Sequence, residues 1–152
     1  MTAITETSAR CDCGALVVDI KGAPVVQLVC HCEDCRAFSG MPYTEGAFFQ
    51  PDDCVSQGET DTSTIKGGTG FDKTLYSCAS CKTQLYMTIA ALNGACAVMA
   101  KRLSPFKFDP QIHVWTSEKA DEVTIPEGIT QYSEAPTADM AAFLISSFWR
   151  KV

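Results

Sequence analysis

The 152 residues, 46% hydrophobic and 20% charged, suit one compact domain with room for an apolar core, and they contain no low-complexity tract. A net charge of −6 without any cluster of Lys and Arg argues against nucleic acid as a direct partner, and no apolar run approaches the ~20 residues that span a bilayer. Nine cysteines are the departure from ordinary composition, and their odd number leaves one unpaired in any all-disulfide scheme.

Residues 1–10 are polar, with no basic region leading into an apolar core, so a cytoplasmic protein is expected. Thiols stay reduced there, and dense cysteines then point to metal binding or chemistry rather than disulfides. Leu16, Val18 and Ile20 alternate with polar neighbours and predict a strand, followed by a turn at Gly22, Ala23 and Pro24. Further strands are predicted over 25–29 and 44–49, with a short helical turn over 32–38 between them. Pro51, Asp52 and Asp53 mark the next turn. The glycines at 67, 68 and 70 lack a following Lys-Ser/Thr pair and read as a surface loop, not a phosphate cradle. Leu85, Met87 and Ile89 alternate, as do Cys96, Val98 and Ala100. Asn93 and Gly94 between them predict a type I′ hairpin, whose central residues both need positive φ. Ser104 and Pro105 predict a turn and 112–116 a short strand. A C-terminal helix is predicted over 138–150, where Met140, Phe143, Leu144 and Phe148 share a stripe behind Pro136 and a Thr137 cap. The chain therefore reads as mainly β: many short strands joined by turns, with a helix at the end.

The cysteines fall into groups. A CxxC turn, such as Cys78 to Cys81, brings two sulfurs onto one ion at ~2.3 Å each, and a CxC pair, such as Cys11 and Cys13, points both the same way along extended chain. Together these four make the usual complement of a closed structural zinc site. Cys30, Cys32 and Cys35 supply three more ligands, and three leave the fourth zinc position open to water or substrate. Spacing leaves open which pairs share a metal.

Cys11-x-Cys13-Gly14, then Cys30-His31-Cys32-x-x-Cys35-Arg36-x-x-Ser39-Gly40, then Cys78-x-x-Cys81 with Leu85 beyond, resembles the glutathione-dependent formaldehyde-activating enzyme family, also called GFA or GFA/centromere-protein-V-like. Order and spacing match over about 11–115, and the middle string is specific. The resemblance implies a single domain over 1–152 with a coiled, multi-sheet zinc-binding β fold of the Mss type. It implies two zinc ions: a structural one held by Cys11, Cys13, Cys78 and Cys81, and a catalytic one held by Cys30, Cys32 and Cys35. It also implies a carbon–sulfur lyase that joins glutathione and formaldehyde as S-hydroxymethylglutathione. Two departures stand out. Lys82 occupies a position where the family usually has glycine, and Val123, Thr124, Ile125 and Pro126 replace a tryptophan-containing segment. The first touches a turn, the second the identity of the substrate.

On this reading glutathione's thiol takes the fourth position at the second ion, where a cation holds it deprotonated. Three thiolates make that site a poor Lewis acid but a good holder of an exchangeable thiol. Arg36 pairs with a substrate carboxylate or offsets thiolate charge, and Ser39 and Gly40 offer a hydroxyl and a close backbone approach. His31 and His113 read either as packed residues or as proton carriers. Cys54 and Cys96 read as buried free thiols, or one of them closes the second ion's shell. The competing readings are a non-catalytic zinc module that binds a protein, and an iron–sulfur protein, which the split CxC spacing suits less well.

Overall fold

The computed structural model describes residues 6–66, 72–134 and 146. Over the described residues it is mainly β, with two sheets and one short α-helix besides the helical Ser146. The strands in chain order are β1 (Glu6–Arg10), β2 (Val17–Lys21), β3 (Val26–Cys30), β4 (Thr44–Phe49), β5 (Cys54–Gln57), β6 (Thr60–Lys66), β7 (Asp72–Cys78), β8 (Gln84–Ile89), β9 (Ala95–Met99), β10 (Leu103–Ser104), β11 (Ile112–Val114) and β12 (Thr130–Gln131). The helix α1 (Glu33–Ser39) lies between β3 and β4.

Four strands form one sheet in the order β10-β1-β2-β5, and eight form the other in the order β12-β11-β3-β4-β9-β8-β7-β6. Local hairpins build most of the second sheet, but β11 pairs with β3, and β12 with β11, in parallel. Alternation accounts for the packing. Val18 and Ile20 of β2 turn inward while Asp19 and Lys21 face water, the period-2 pattern of a half-buried strand. They meet Phe49, Leu85, Cys96 and Val98 of the second sheet in one apolar cluster. Phe49, fully buried and edge-on to Phe106, sits at its centre, where truncation to alanine costs about 3–5 kcal/mol. A second cluster gathers Val26, Leu28, Cys30, Cys35, Ile112 and Val114. The β6 edge alternates threonine, serine and charge on exposed positions, which blunts it as a template for another strand.

The predicted strands at 25–29, 44–49 and 85–89 are present within a residue or two. Ala100 has left the strand for a 3-10 turn, and Thr116 lies beyond β11 in another. The loop between β8 and β9 differs from the predicted two-residue hairpin. Ile89 pairs with Ala95, so five residues connect the strands. Ala90–Leu92 make a 3-10 turn, after which Asn93 and Gly94 both take the positive φ expected of them. Leu92 tucks back against two apolar clusters, and that burial lengthens the loop. The expected C-terminal helix and the glycine-rich loop lie outside the described residues, apart from Ser146, which is helical.

Candidate metal centres

Cys11 and Cys13 follow β1, and Cys78 ends β7 with Cys81 in the turn after it; the two sheets therefore bring their strand ends together at these four sulfurs, all within 4.8 Å of one another. Four sulfurs placed ~2.3 Å from a central ion at tetrahedral corners stand ~3.8 Å apart. Cys11 to Cys13 and Cys13 to Cys78 are each 3.7 Å, so the donor set and its edges fit zinc. Backbone N–H groups point at the sulfurs. Leu16 donates to Cys11 Sγ at 3.2 Å, and Cys81 to Cys78 Sγ at 3.5 Å. Thr83, unremarked in the sequence, ties both halves: its Oγ1 lies 3.0 Å from Cys81 Sγ and accepts from the Asp12 N–H at 3.1 Å. A hydroxyl residue two places after a CxxC turn was the available signal.

Crowding splits these thiols. The Thr83 side chain, then its backbone, holds Cys81 at about 5. The Ala15 N–H draws Cys13 down, but the surrounding thiols of Cys81, Cys11 and Cys78 push it up to about 11. Burial raises Cys11, yet the Leu16 N–H and the Cys78 thiol outweigh it and leave Cys11 lowered. Lys82, at the position where glycine is usual, sits in the left-handed region at φ 63° and bonds its N–H to the Cys78 carbonyl at 2.9 Å. The turn keeps the glycine's conformation without the glycine.

The second cluster is local. Cys30 ends β3, Cys32 caps α1 by accepting from the Cys35 N–H at 3.3 Å, and Cys35 lies one turn inside the helix. The three sulfurs also lie within 4.8 Å of one another, with Cys30 and Cys32 at 3.4 Å. Among the described residues no fourth Cys, His, Asp or Glu joins them, and neither Cys54 nor Cys96 closes the shell. Cys30 and Cys35 are buried; Cys32 is half-exposed. Hydrogen bonds from the Cys30 and Cys35 thiols hold Cys32 down at about 2, the contact with Cys32 pushes Cys30 up to about 12, and the contacts with Cys30 and then Cys32 raise Cys35. A cation binding there would displace protons from the cluster.

His31 points away from the sulfurs. It is fully buried, stacked on His113 at 5.2 Å, with Nε2 2.9 Å from His113 Nδ1. Burial, then the charges of His113, Lys119 and Arg36, lowers His31 to about 4, and burial lowers His113. The pair is neutral near pH 7 and clamps the ends of β3 and β11. Trp115, held at φ 58°, packs beside the cluster. Glu118 Oε1 accepts from the Glu33 N–H at 2.8 Å and ties α1 to the segment after β11. Such long-range partners leave no mark in the sequence. Ser39, expected to face substrate, instead donates to the Tyr43 carbonyl at 3.0 Å and accepts from the Met41 N–H at 3.1 Å; its hydroxyl shapes the loop that follows the left-handed Gly40.

Arg36 lines a cleft of about 640 Å³ on one flank of α1, together with Gly40, Met41, Pro42, Glu118 and Lys119. Its Nε is buried and has no hydrogen-bond partner among the described residues. The Lys119 ammonium is held by the Ala120 and Val123 carbonyls at 3.1 and 2.8 Å. No helix among the described residues is long and apolar enough to cross a membrane.

Among solved structures, a Rhodobacter sphaeroides protein is similar at a TM-score of 0.49 and 14% identity, covering 82% of this chain and 98% of that one. No curated protein matches the chain. The model of the glutathione-dependent formaldehyde-activating enzyme family matches residues 6–118, and with its seven motif cysteines gathered into two clusters the chain belongs to that family.

Proposed function

We propose that the chain is a single zinc-binding domain that holds two zinc ions and joins a small thiol, glutathione or a relative of it, to formaldehyde through a new carbon–sulfur bond. One observation carries the reading: the Cys30, Cys32 and Cys35 sulfurs converge with no fourth protein ligand among the described residues, whereas the other cluster is complete with four. In the reaction the thiol loses its proton and its sulfur electron pair attacks the formaldehyde carbon. The carbonyl π pair moves to oxygen, which takes up a proton, so the product is the hydroxymethyl thioether. Zinc at the three-thiol cluster would supply the charge that keeps an arriving thiol deprotonated.

The chain's own residues do the rest. Cys30, Cys32 and Cys35 would hold the ion at the corner where β3 turns into α1. Trp115 packs on the apolar cluster that includes Cys30 and Cys35, and the neutral histidine pair fixes the ends of β3 and β11. Arg36, next to Cys35 in sequence, lines a cleft of a size suited to a tripeptide-scale ligand, and its guanidinium would pair with a substrate carboxylate there. Cytoplasmic residence accords with cysteines that stay reduced.

Cobalt(II) in place of zinc makes the reading testable. Glutathione added to the cobalt protein should shift its sulfur-to-metal absorption saturably and raise the melting temperature, and formaldehyde should then yield the hydroxymethyl adduct by NMR. Arg36→Ala should weaken glutathione binding about tenfold with metal content unchanged, the loss of one charge-assisted contact. A cobalt spectrum indifferent to glutathione would leave two closed sites and a zinc-stapled scaffold.

A further inference from the structure

Cys54 and Cys96, far apart in sequence and outside both clusters, line one cavity of about 170 Å³ together with Ser56, Tyr76 and Tyr86. Cys54 opens β5, the edge of the four-stranded sheet, opposite Ile20; Cys96 lies in the interior strand β9 of the eight-stranded sheet, opposite Phe49. Ile20, Phe49 and Cys96 share one apolar cluster and Cys54 packs on it, so the two thiols meet where sheet faces sheet. The Cys54 thiol, reinforced by burial, raises the neighbouring Cys96, and the Cys54 thiol itself donates to the Gln50 carbonyl at 3.6 Å. Access is unequal. Cys96 is buried at 4% exposure, whereas Cys54 is only half-buried.

We propose that Cys54 and Cys96 form a thiol–disulfide exchange site whose substrate is a small-molecule disulfide and whose product is a covalent tie between the two sheets. The Cys54 sulfur, deprotonated, attacks one sulfur of the small disulfide; the S–S bond breaks and the other half leaves as a thiolate. Cys96 then loses its proton to that thiolate and attacks the Cys54 sulfur, forming the internal disulfide and expelling the second half as a thiolate, which takes up the proton that Cys54 released to water. Two protein thiols are oxidised by two electrons and one disulfide is reduced to two thiols, so the exchange balances without a further reagent. The cavity supplies room for the side chains to rotate from hydrogen-bond to bond distance. Cys54 is the attacking residue because it can be reached; Cys96 resolves because it cannot. This site needs neither metal cluster.

Zinc-loaded protein incubated with oxidised glutathione under anaerobic conditions, then read by intact mass, peptide mapping and metal content, tests the proposal. The expected result is loss of two hydrogens, a linkage between the Cys54 and Cys96 peptides, and unchanged zinc. Cys96→Ala should stop at one glutathionyl group on Cys54, and Cys54→Ala should take up none. Persistence of both thiols in oxidised glutathione alone overturns the proposal, as does oxidation that maps to the metal-cluster cysteines with release of zinc. The wild-type mapping decides the matter even if a variant folds poorly.

Discussion

The two cysteine clusters use the same ligand chemistry for opposite structural ends. Cys11 and Cys13 come from the end of one sheet and Cys78 and Cys81 from the other, so an ion there closes a long loop and fastens the sheets. Cys30, Cys32 and Cys35 span six consecutive positions, and the strand, helix and β11 segment around them are already joined by backbone bonds such as His31 N–H to the Val114 carbonyl at 3.1 Å. An ion at the first cluster offsets the entropy of a distant contact; one at the second adds little to a corner that exists without it. Among the described residues the first also gathers four sulfurs, while the second gathers three. On the proposed function, long-range closure belongs to the site that holds the fold, and local incompleteness to the site that receives a ligand.

The strongest way to break this contrast is at Cys78, buried at 1% exposure. Cys78→Ser should leave the chain unfolded or insoluble, because the ~10–16 kcal/mol apparent binding energy of a structural zinc is comparable to the ~5–15 kcal/mol stability of a whole domain. Circular dichroism and solubility of the purified variant check it. Cys35→Ser should fold, with zinc per chain falling from two to one and stability changing by about 0.5–3 kcal/mol, as for an ordinary point substitution. Equal damage from both variants would erase the division of labour.

A milder test acts on the second cluster's wall. The folded pKa of His31 is lowered from the ordinary 6.5 to about 4, and that of His113 is lowered as well. A lowered histidine is favoured neutral, so its stabilisation is fully present above the unfolded pKa of about 6.5 and is lost as pH falls toward 4. Chemical unfolding between pH 7 and 4.5, with metal content followed in parallel, should show up to about 3 kcal/mol lost over that window. A flat profile would mean the pair is hydrated rather than packed. The smallest effect is expected at Lys82. Releasing its left-handed backbone with Lys82→Gly should stabilise the protein by about 1 kcal/mol, less whatever the exposed ion pair with Asp61 contributes. An unchanged denaturant midpoint would show that the turn carries no strain.

The sequence by itself marked the cysteines that converge and the strands that alternate cleanly. CxC and CxxC spacings dictate sulfur convergence through local backbone geometry, and a period of two at Val18 and Ile20 or at Leu85, Met87 and Ile89 marks a half-buried strand wherever it occurs. Strands with no apolar period, such as the exposed Thr60–Lys66, were invisible because they are held by their partner β7 rather than by burial. Only the tertiary structure decided that Cys11 and Cys13 share a site with Cys78 and Cys81, that His31 faces His113 instead of the sulfurs, and that Cys54 meets Cys96 across the sheets. Each of these depends on which strand lies beside which, and that order is set by the summed burial of the whole chain, which no local spacing encodes.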